Sequence, residues 1–258
     1  MSPLQIYLTA GLVAFMGLVI LLERLFPYTP GQPFFRKGLV LDLAFYGILQ
    51  SVALGWIIFG LIHWIDSVSG WSQTGLISDW PVWVQVAFFL ITHDLYIYWF
   101  HRWQHRSALL WRVHEAHHST RQVDWIAGMR SHSFEIFINQ TIEFAPVILM
   151  GAAPEVALIK GTIDGIWGTW IHSNIDVKTG WLQYVINGPE MHRWHHAIEI
   201  TQGGLNYATK LAVWDWMFGT AWLPEGKKPS GYGLTDEAFP DTWTGQHLYL
   251  FRPFDKLA

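Results

Sequence analysis

Long apolar runs separated by short polar segments dominate the first two-thirds of the chain. Three runs, near residues 4–22, 39–65 and 82–100, have the length of a membrane-crossing helix, which takes about 20 residues. Two shorter apolar runs around a tight connection predict a helical hairpin over residues 134–171. The pattern therefore predicts an all-α fold: a multi-pass transmembrane helical bundle of about three spans plus a hairpin.

The remaining segments, residues 101–133 and 172–258, are too polar to span, and we expect them to form a helical cap of a single domain, residues 1–258. Of the sixteen Lys and Arg residues, all except Lys160 fall in segments that this arrangement places on one side of the membrane. Because Lys and Arg mark cytoplasmic segments, we expect an integral membrane protein with a cytosolic cap. The loop Asp66–Asp79 would lie on the opposite side.

Composition supports a membrane protein. The chain is 51% hydrophobic and only 14% charged, whereas a soluble domain is usually about 25% charged. Its 17 Trp residues suit long membrane–water interfaces. The net charge of −4 gives no reason to expect a nucleic-acid partner, and the absence of Cys excludes disulfides, thiolate catalysis and Cys-ligated metal sites.

Histidines are concentrated in three spaced motifs. His101 and His105 form HxxxH, and two HxxHH motifs follow, each of which places its histidines on one helical face. Neutral imidazole is the commonest metal ligand in proteins, and a metal takes about four such ligands. The eight histidines therefore suffice for two metals at the cytosolic end of the spans: His101, His105, His114, His117, His118, His192, His195 and His196.

Other polar residues are candidates for the same site. His172, at the end of the last apolar run, is favoured as a further ligand, whereas His93 and His132 could be ligands or hydrogen-bonding groups. Carboxylates commonly orient metal-bound imidazoles, and the candidates for that role are Asp94, Asp124, Glu135 and Asp215. Before the second HxxHH, Asn187 and Glu190 have the spacing of a capping box that would start a helix.

Two other functions fit parts of the pattern. His114–Glu115–Ala116–His117–His118 contains HExxH, the zinc-protease motif in which Glu is the general base. Asp164, in Ile163-Asp164-Gly165, loosely matches a third-ligand motif of intramembrane proteases. This interpretation leaves the other histidine motifs without a role. A metal transporter is the third alternative, but the first two spans carry no ionisable residue in their middle, as a transport path would require.

The motifs resemble the fatty acid hydroxylase/sterol desaturase superfamily of integral membrane, histidine-rich di-iron enzymes. The resemblance runs from His93-Asp94 through HxxxH and both HxxHH motifs to Asn206-Tyr207 and Trp214-Asp215, in the family's order. It implies that the eight motif histidines, with His172, ligate two iron ions. Asn174 and Asp176 are further candidates, because some relatives have a second histidine at the position of Asp176.

The resemblance also implies O2-dependent hydroxylation or desaturation of a lipid, fatty-acyl or sterol-like substrate. Zinc can replace iron in a purified sample, because it binds the same ligands at least as tightly. The chain has neither Cys nor a GxGxxG flavin-binding motif. We therefore expect electrons from a separate donor, a ferredoxin- or cytochrome-type protein with its reductase.

Overall fold

A computed structural model of the chain describes residues 2–200 and 203–253. These residues are helical and contain no β-strand, only the isolated bridges Pro27–Ile175 and Ala197–Tyr232. The prediction of an all-α fold is confirmed for this part of the chain.

Nine helices follow one another in the described residues, joined by short 3-10 turns and loops. The longest is α2, which begins as a π-helix over Leu41–Gln50 and continues as an α-helix to Ser69. In chain order the helices are α1 (Pro3–Leu25), α2 (Leu41–Ser69), α3 (Val82–Arg106), α4 (Ala108–His118), α5 (Ser133–Leu149), α6 (Pro154–Ile171), α7 (Pro189–His195), α8 (Val213–Met217) and α9 (Trp243–Tyr249).

Two helices, α1 and α2, are long and apolar enough to cross a membrane. In the most apolar 18-residue stretch of each helix, only 6% of α1 and 22% of α2 is buried inside the protein. Large exposed apolar surfaces are not tolerated in water, so these faces indicate contact with lipid. Two of the three expected spans are thus helices with the length and apolar composition of a span.

The third expected span is part of a longer helix. Helix α3 does not end near Phe100 but continues to Arg106, so that His101 and His105 extend from the same rigid rod as the apolar residues before them. Unlike α1 and α2, helix α3 is not apolar enough along its length to be a candidate membrane span. Asp94, His93 and the charged residues after Phe100 interrupt its apolar sequence.

The expected hairpin is formed by α5 and α6, with residues 150–153 between them. Gly151 in this turn has a φ of +71°, and a Cβ there would lie 2.7 Å from the Ser72 carbonyl oxygen, so glycine is required. Helix α1 packs on α6, α2 packs on α5, and α3 lies against both hairpin helices. An apolar cluster that includes Phe89, Val147 and Val156 fills the space between α3 and the hairpin.

Polar contacts fasten the cap to the ends of the long helices. Glu23, near the end of α1, accepts hydrogen bonds from the backbone N–H groups of Trp125 (2.8 Å) and Asn174 (2.7 Å). The carboxylate of Asp42 pairs with Arg36 (2.7 Å) and Arg130 (2.6 Å) at the start of α2. These buried contacts fix the cap segments that carry the histidines.

Candidate metal centre

Four elements bring the nine predicted histidine ligands into one buried region. Helix α3 supplies two, α4 supplies three, α7 and the residue that caps it supply three, and His172 caps the end of α6. Every one of the nine is at most 7% exposed: His101, His105, His114, His117, His118, His172, His192, His195 and His196. The motif spacing therefore puts these histidines on the inward-facing side of their helices.

The nine histidines separate into two groups, in each of which one ring nitrogen per residue lies within 4.8 Å of all the others. Group A consists of His101, His105, His114, His118 and His195. Within it, the Nε2 atom of His114 lies 3.0 Å from that of His101 and 3.1 Å from that of His118.

Group B consists of His117, His172, His192 and His196. The Nε2 atom of His172 lies 2.9 Å from that of His192 and 3.3 Å from those of His117 and His196. The two groups are adjacent, since His117 and His118 are neighbours in α4, and the rings of His118 and His196 are 4.6 Å apart.

The other ring nitrogen of several histidines is held by an acceptor. Nδ1 of His101 donates to the Tyr207 carbonyl (2.7 Å), and Nδ1 of His114 donates to the Glu135 carboxylate (2.8 Å). In group B, Nδ1 of His117 donates to the carbonyl of Arg130 (2.9 Å), and Nδ1 of His172 donates to that of Gly168 (2.8 Å). These contacts place the proton of each neutral ring on Nδ1 and leave an unprotonated Nε2 directed into the group.

The converging Nε2 atoms fit a cation. The Nε2 atoms of His101 and His114 face each other at 3.0 Å, although the proton of each neutral ring is on Nδ1. Two lone pairs at this distance repel each other unless a positive charge lies between them. Four nitrogens about 2.0–2.1 Å from a tetrahedral metal are about 3.3–3.4 Å apart, and three Nε2–Nε2 distances in group B are 3.2–3.3 Å while the fourth, between His172 and His192, is 2.9 Å. The residues therefore match the donor set of a metal ion.

Burial favours the metal-binding form of the rings. Desolvation lowers the pKa of His117 and, to about 3, that of His172, and it lowers the pKa values of His118 and His196 far below the usual value. Neighbouring imidazoles lower several of these pKa values further. The rings are neutral near pH 7, and their lone pairs are available.

The two histidines left undecided by the sequence lie outside both groups. Nδ1 of His93 lies 3.2 Å from Lys160 Nζ, and the ring of His132 packs at a tilt against that of His247, with centroids 4.4 Å apart. Neither belongs to group A or group B.

The candidate carboxylates differ in what they contact. Glu135 bonds directly to His114, and it also accepts from Gln104 Nε2 at 2.9 Å. Asp215 contacts no histidine directly. It accepts a hydrogen bond from the backbone N–H of Tyr207 (2.8 Å), whose carbonyl in turn accepts one from His101.

The remaining polar candidates serve the fold. Asp94 accepts the backbone N–H groups of Lys210 and Leu211, and Asp124 pairs with Arg36. Asn174 bonds to the backbone of Thr29, and Asp176 is exposed. In these contacts none of the four orients a histidine of either group.

One local expectation from the sequence differs from the structure. The capping box at the start of α7 is wrong: the helix begins at Pro189 after Gly188, without a side-chain cap. Asn187 instead donates to the Ala208 carbonyl, and Glu190 accepts from Thr179. Pro at the first helical position sets the backbone angle of the helix start without a cap.

Sequence reasoning missed the backbone carbonyls that orient the rings, because no side-chain pattern marks them. It also missed an ionic network of Glu143, Lys160, Asp164 and Lys210 beside the histidines. The signal for this network was present: Lys160 is the one basic residue that the charge distribution could not place on the cytoplasmic side, and ionisable residues within apolar helices are usually functional.

Comparison with known proteins identifies relatives that modify lipids. A sequence model of the fatty acid hydroxylase family matches residues 86–220, slightly more than half of the chain. Ornithine lipid hydroxylase OlsE of Rhizobium tropici is 32% identical over 158 residues, 61% of this chain and 48% of that protein. Alkylglycerol monooxygenase of Danio rerio is 32% identical over 173 residues, 67% of this chain and 37% of that protein.

The human alkylglycerol monooxygenase is 32% identical over 142 residues. The chain spans less than half the length of each of these relatives. No solved structure shows a significant match. The region matched by the family model contains all nine histidines of groups A and B, and the chain belongs to the fatty acid hydroxylase family.

Proposed function

We propose that the protein is a membrane oxidoreductase that uses two metal ions, held by groups A and B, to hydroxylate a lipid with O2. The observation that carries the proposal is the convergence of unprotonated Nε2 atoms in two adjacent groups. Iron is the metal we expect in the active protein, since the relatives are a hydroxylase and monooxygenases and zinc has no redox chemistry.

The ligand assignment follows from the groups. Group A would hold one metal through His101, His105, His114, His118 and His195, and group B would hold the other through His117, His172, His192 and His196. When bound, the metals supply the oxidising chemistry that protein side chains lack. The chain's own residues fix four of the rings: Glu135 and the carbonyl groups of Tyr207, Arg130 and Gly168 hold the Nδ1 protons of His114, His101, His117 and His172.

The overall reaction requires an external donor. One oxygen atom of O2 enters a C–H bond of the lipid and the other leaves as water, which consumes two electrons and two protons. We propose that a ferredoxin- or cytochrome-type donor supplies the electrons at the cap, on the cytoplasmic side. Removal of two hydrogens from the lipid, a desaturation, is the alternative outcome of the same chemistry.

A cavity next to the histidines supports a substrate site. It has a volume of about 220 Å³, and its lining includes His101, His114, His117 and His172. Phe100, Trp167 and Ile171 add apolar surface. The cavity is smaller than the about 300–1,000 Å³ of sites that enclose a whole small molecule, so it would admit only the reacting part of a lipid.

Lipid mass spectrometry tests the proposal. Cells that express the wild-type chain should contain a lipid about 16 mass units heavier than its precursor, as insertion of one oxygen requires. Cells that express a His117→Ala variant at the same level should lack it. A lipid about 2 mass units lighter would indicate desaturation, and identical lipids in both strains across growth conditions would contradict the proposed function.

A further inference from the structure

A network of four charged side chains joins α5, α6 and the cap. Lys160, in the middle of α6, is fully buried. Its ammonium group contacts Glu143 of α5 at 2.6 Å and Asp164 of its own helix at 2.7 Å. Lys210, from the cap, contacts the second oxygen of Asp164 at 2.7 Å. The network therefore contains two adjacent ammonium–carboxylate pairs.

The network is not a third metal site. His93, Glu143 and Asp164 have ligand atoms close enough to hold an ion. The Lys160 ammonium, however, lies 3.2 Å from His93 Nδ1 and bonds to both carboxylates. The position that a cation would take is occupied by the chain's own positive charge.

The network reaches the substrate cavity at one point. Asp164 and Lys210 belong to the cavity lining, together with Thr209, whereas Lys160 and Glu143 lie behind them. The cavity is thus bounded by histidines of groups A and B and, on another part of its wall, by one carboxylate and one ammonium group. A cavity for hydrocarbon alone needs neither, and buried ion pairs are often no more stable than apolar residues of the same volume. Asp164 and Lys210 pair with each other at 2.7 Å, and each retains capacity for a further hydrogen bond from the cavity, because a carboxylate accepts about four bonds and an ammonium group donates three.

We infer that the cavity binds a lipid through a polar group that carries an amino nitrogen near a carbonyl or carboxyl oxygen, as an amino-acid headgroup does. The amino group meets the Asp164 carboxylate, and the oxygen meets the Lys210 ammonium. Charge-assisted hydrogen bonds of this kind are the strong ones. The inference rests on the proposed function, because it assigns the substrate class of the same site.

The geometry also limits which carbon reacts. Asp164 and His172 are separated by eight residues along α6 and its cap, which corresponds to about 12 Å at a rise of about 1.5 Å per residue. A substrate held at Asp164 and Lys210 therefore offers the histidine groups a carbon within about 12 Å of its polar group. The distal end of a long acyl chain stays in the membrane.

Binding to the zinc-loaded protein tests the inference without catalysis. Two detergent-soluble probes with the same short acyl chain are compared by isothermal titration calorimetry: one with an ornithine headgroup and one with a glycerol headgroup. We expect wild-type protein to bind the ornithine probe about 10- to 100-fold more tightly, as two charge-assisted hydrogen bonds allow. Equal or tighter binding of the glycerol probe would overturn the inference, whatever the variants do.

Variants test whether Asp164 and Lys210 cause the preference for the ornithine probe. Lys210→Met and Asp164→Asn should reduce it to less than about threefold, a loss in line with the worth of a charge-assisted hydrogen bond, while zinc content stays at the wild-type value. Lys210→Arg, which keeps the charge, should retain it. Asp241→Asn is the control, because it removes an exposed ion pair with Lys37. A full preference in both folded, zinc-loaded variants would assign the headgroup to another part of the protein and overturn the inference.

Binding and catalysis separate the two proposals. A protein that prefers the ornithine probe but hydroxylates no lipid supports the headgroup site and contradicts the proposed function. A protein that hydroxylates lipids and binds both probes equally supports the function and contradicts the headgroup site.

Discussion

The Glu115 carboxylate forms a two-point ion pair with the Arg252 guanidinium, at 2.5 and 2.8 Å. Glu115 is the residue that would serve as general base in an HExxH protease, yet it binds the C-terminal segment while its neighbour His114 enters group A. Arg112 strengthens the same attachment by donating to the carbonyl groups of Leu250, Arg252 and Pro253. This arrangement favours a structural role for Glu115.

Substitution of Glu115 separates the oxygenase from the protease. Glu115→Gln should leave metal content unchanged and activity within about 10-fold of wild type, as expected for a residue that acts at most through a ligand. Glu135→Gln, which disturbs the bond to His114, should cost about 10- to 100-fold in activity or metal affinity. Lipid hydroxylation and metal content of both variants provide the measurement. Loss of several orders of magnitude in Glu115→Gln, with metal retained, would indicate a general base and the protease.

Removal of a histidine should reduce activity and metal content only if that histidine belongs to group A or group B. His192→Ala deletes one of the four ligands of group B and should abolish activity and lower the metal content from two ions to about one per chain, because a site needs about four ligands. His132→Ala is the matched control, since His132 is also buried but lies outside both groups. Metal analysis of the purified variants decides. Equal metal loss in both would mean that the groups are not the binding sites.

Acid should destabilise the metal-free protein. Burial lowers the pKa of His172 to about 3, below the value of about 6.5 in an unfolded chain. The unfolded state then binds more protons as the pH falls, so this contribution to stability is fully present above about pH 6.5 and is lost progressively below it. The thermal unfolding temperature of chelator-treated protein should decrease as the pH is lowered from 7 to 5. Added zinc should raise the midpoint at pH 7.5, and a midpoint that is independent of pH would contradict buried neutral histidines.

Single cysteines test the membrane orientation, because the chain has no Cys of its own. Gln73→Cys, in the exposed turn after α2, should react with a membrane-impermeant maleimide in intact cells. Ser230→Cys, in the cap, should react only after the membrane is permeabilised, as the one-sided distribution of Lys and Arg requires. The reverse pattern would place the cap and its histidines outside the cytoplasm.

The sequence predicted the site better than its internal arrangement. Positions three and four residues apart share a helical face, so the motif spacing was enough to predict that His114 and His117 are turned inward together. It could not show that His117 and His118, adjacent in sequence, enter different groups, because that depends on where α6 and α7 pack against α4. Helix lengths were predicted less well: hydropathy ended the third apolar run near Phe100, whereas backbone hydrogen bonding continues α3 to Arg106.

The source of the oxygen atom in the product tests most directly whether the protein is an oxygenase. Purified, iron-loaded protein is supplied with lipid, reductant and ¹⁸O2 in ordinary water, and the product is weighed by mass spectrometry. We expect a lipid about 18 mass units heavier than its precursor, because the inserted atom comes from O2. With ¹⁶O2 in ¹⁸O-labelled water, the product should be about 16 units heavier. A product that takes its label from water, or that forms equally well with the zinc-loaded protein without O2, would contradict it.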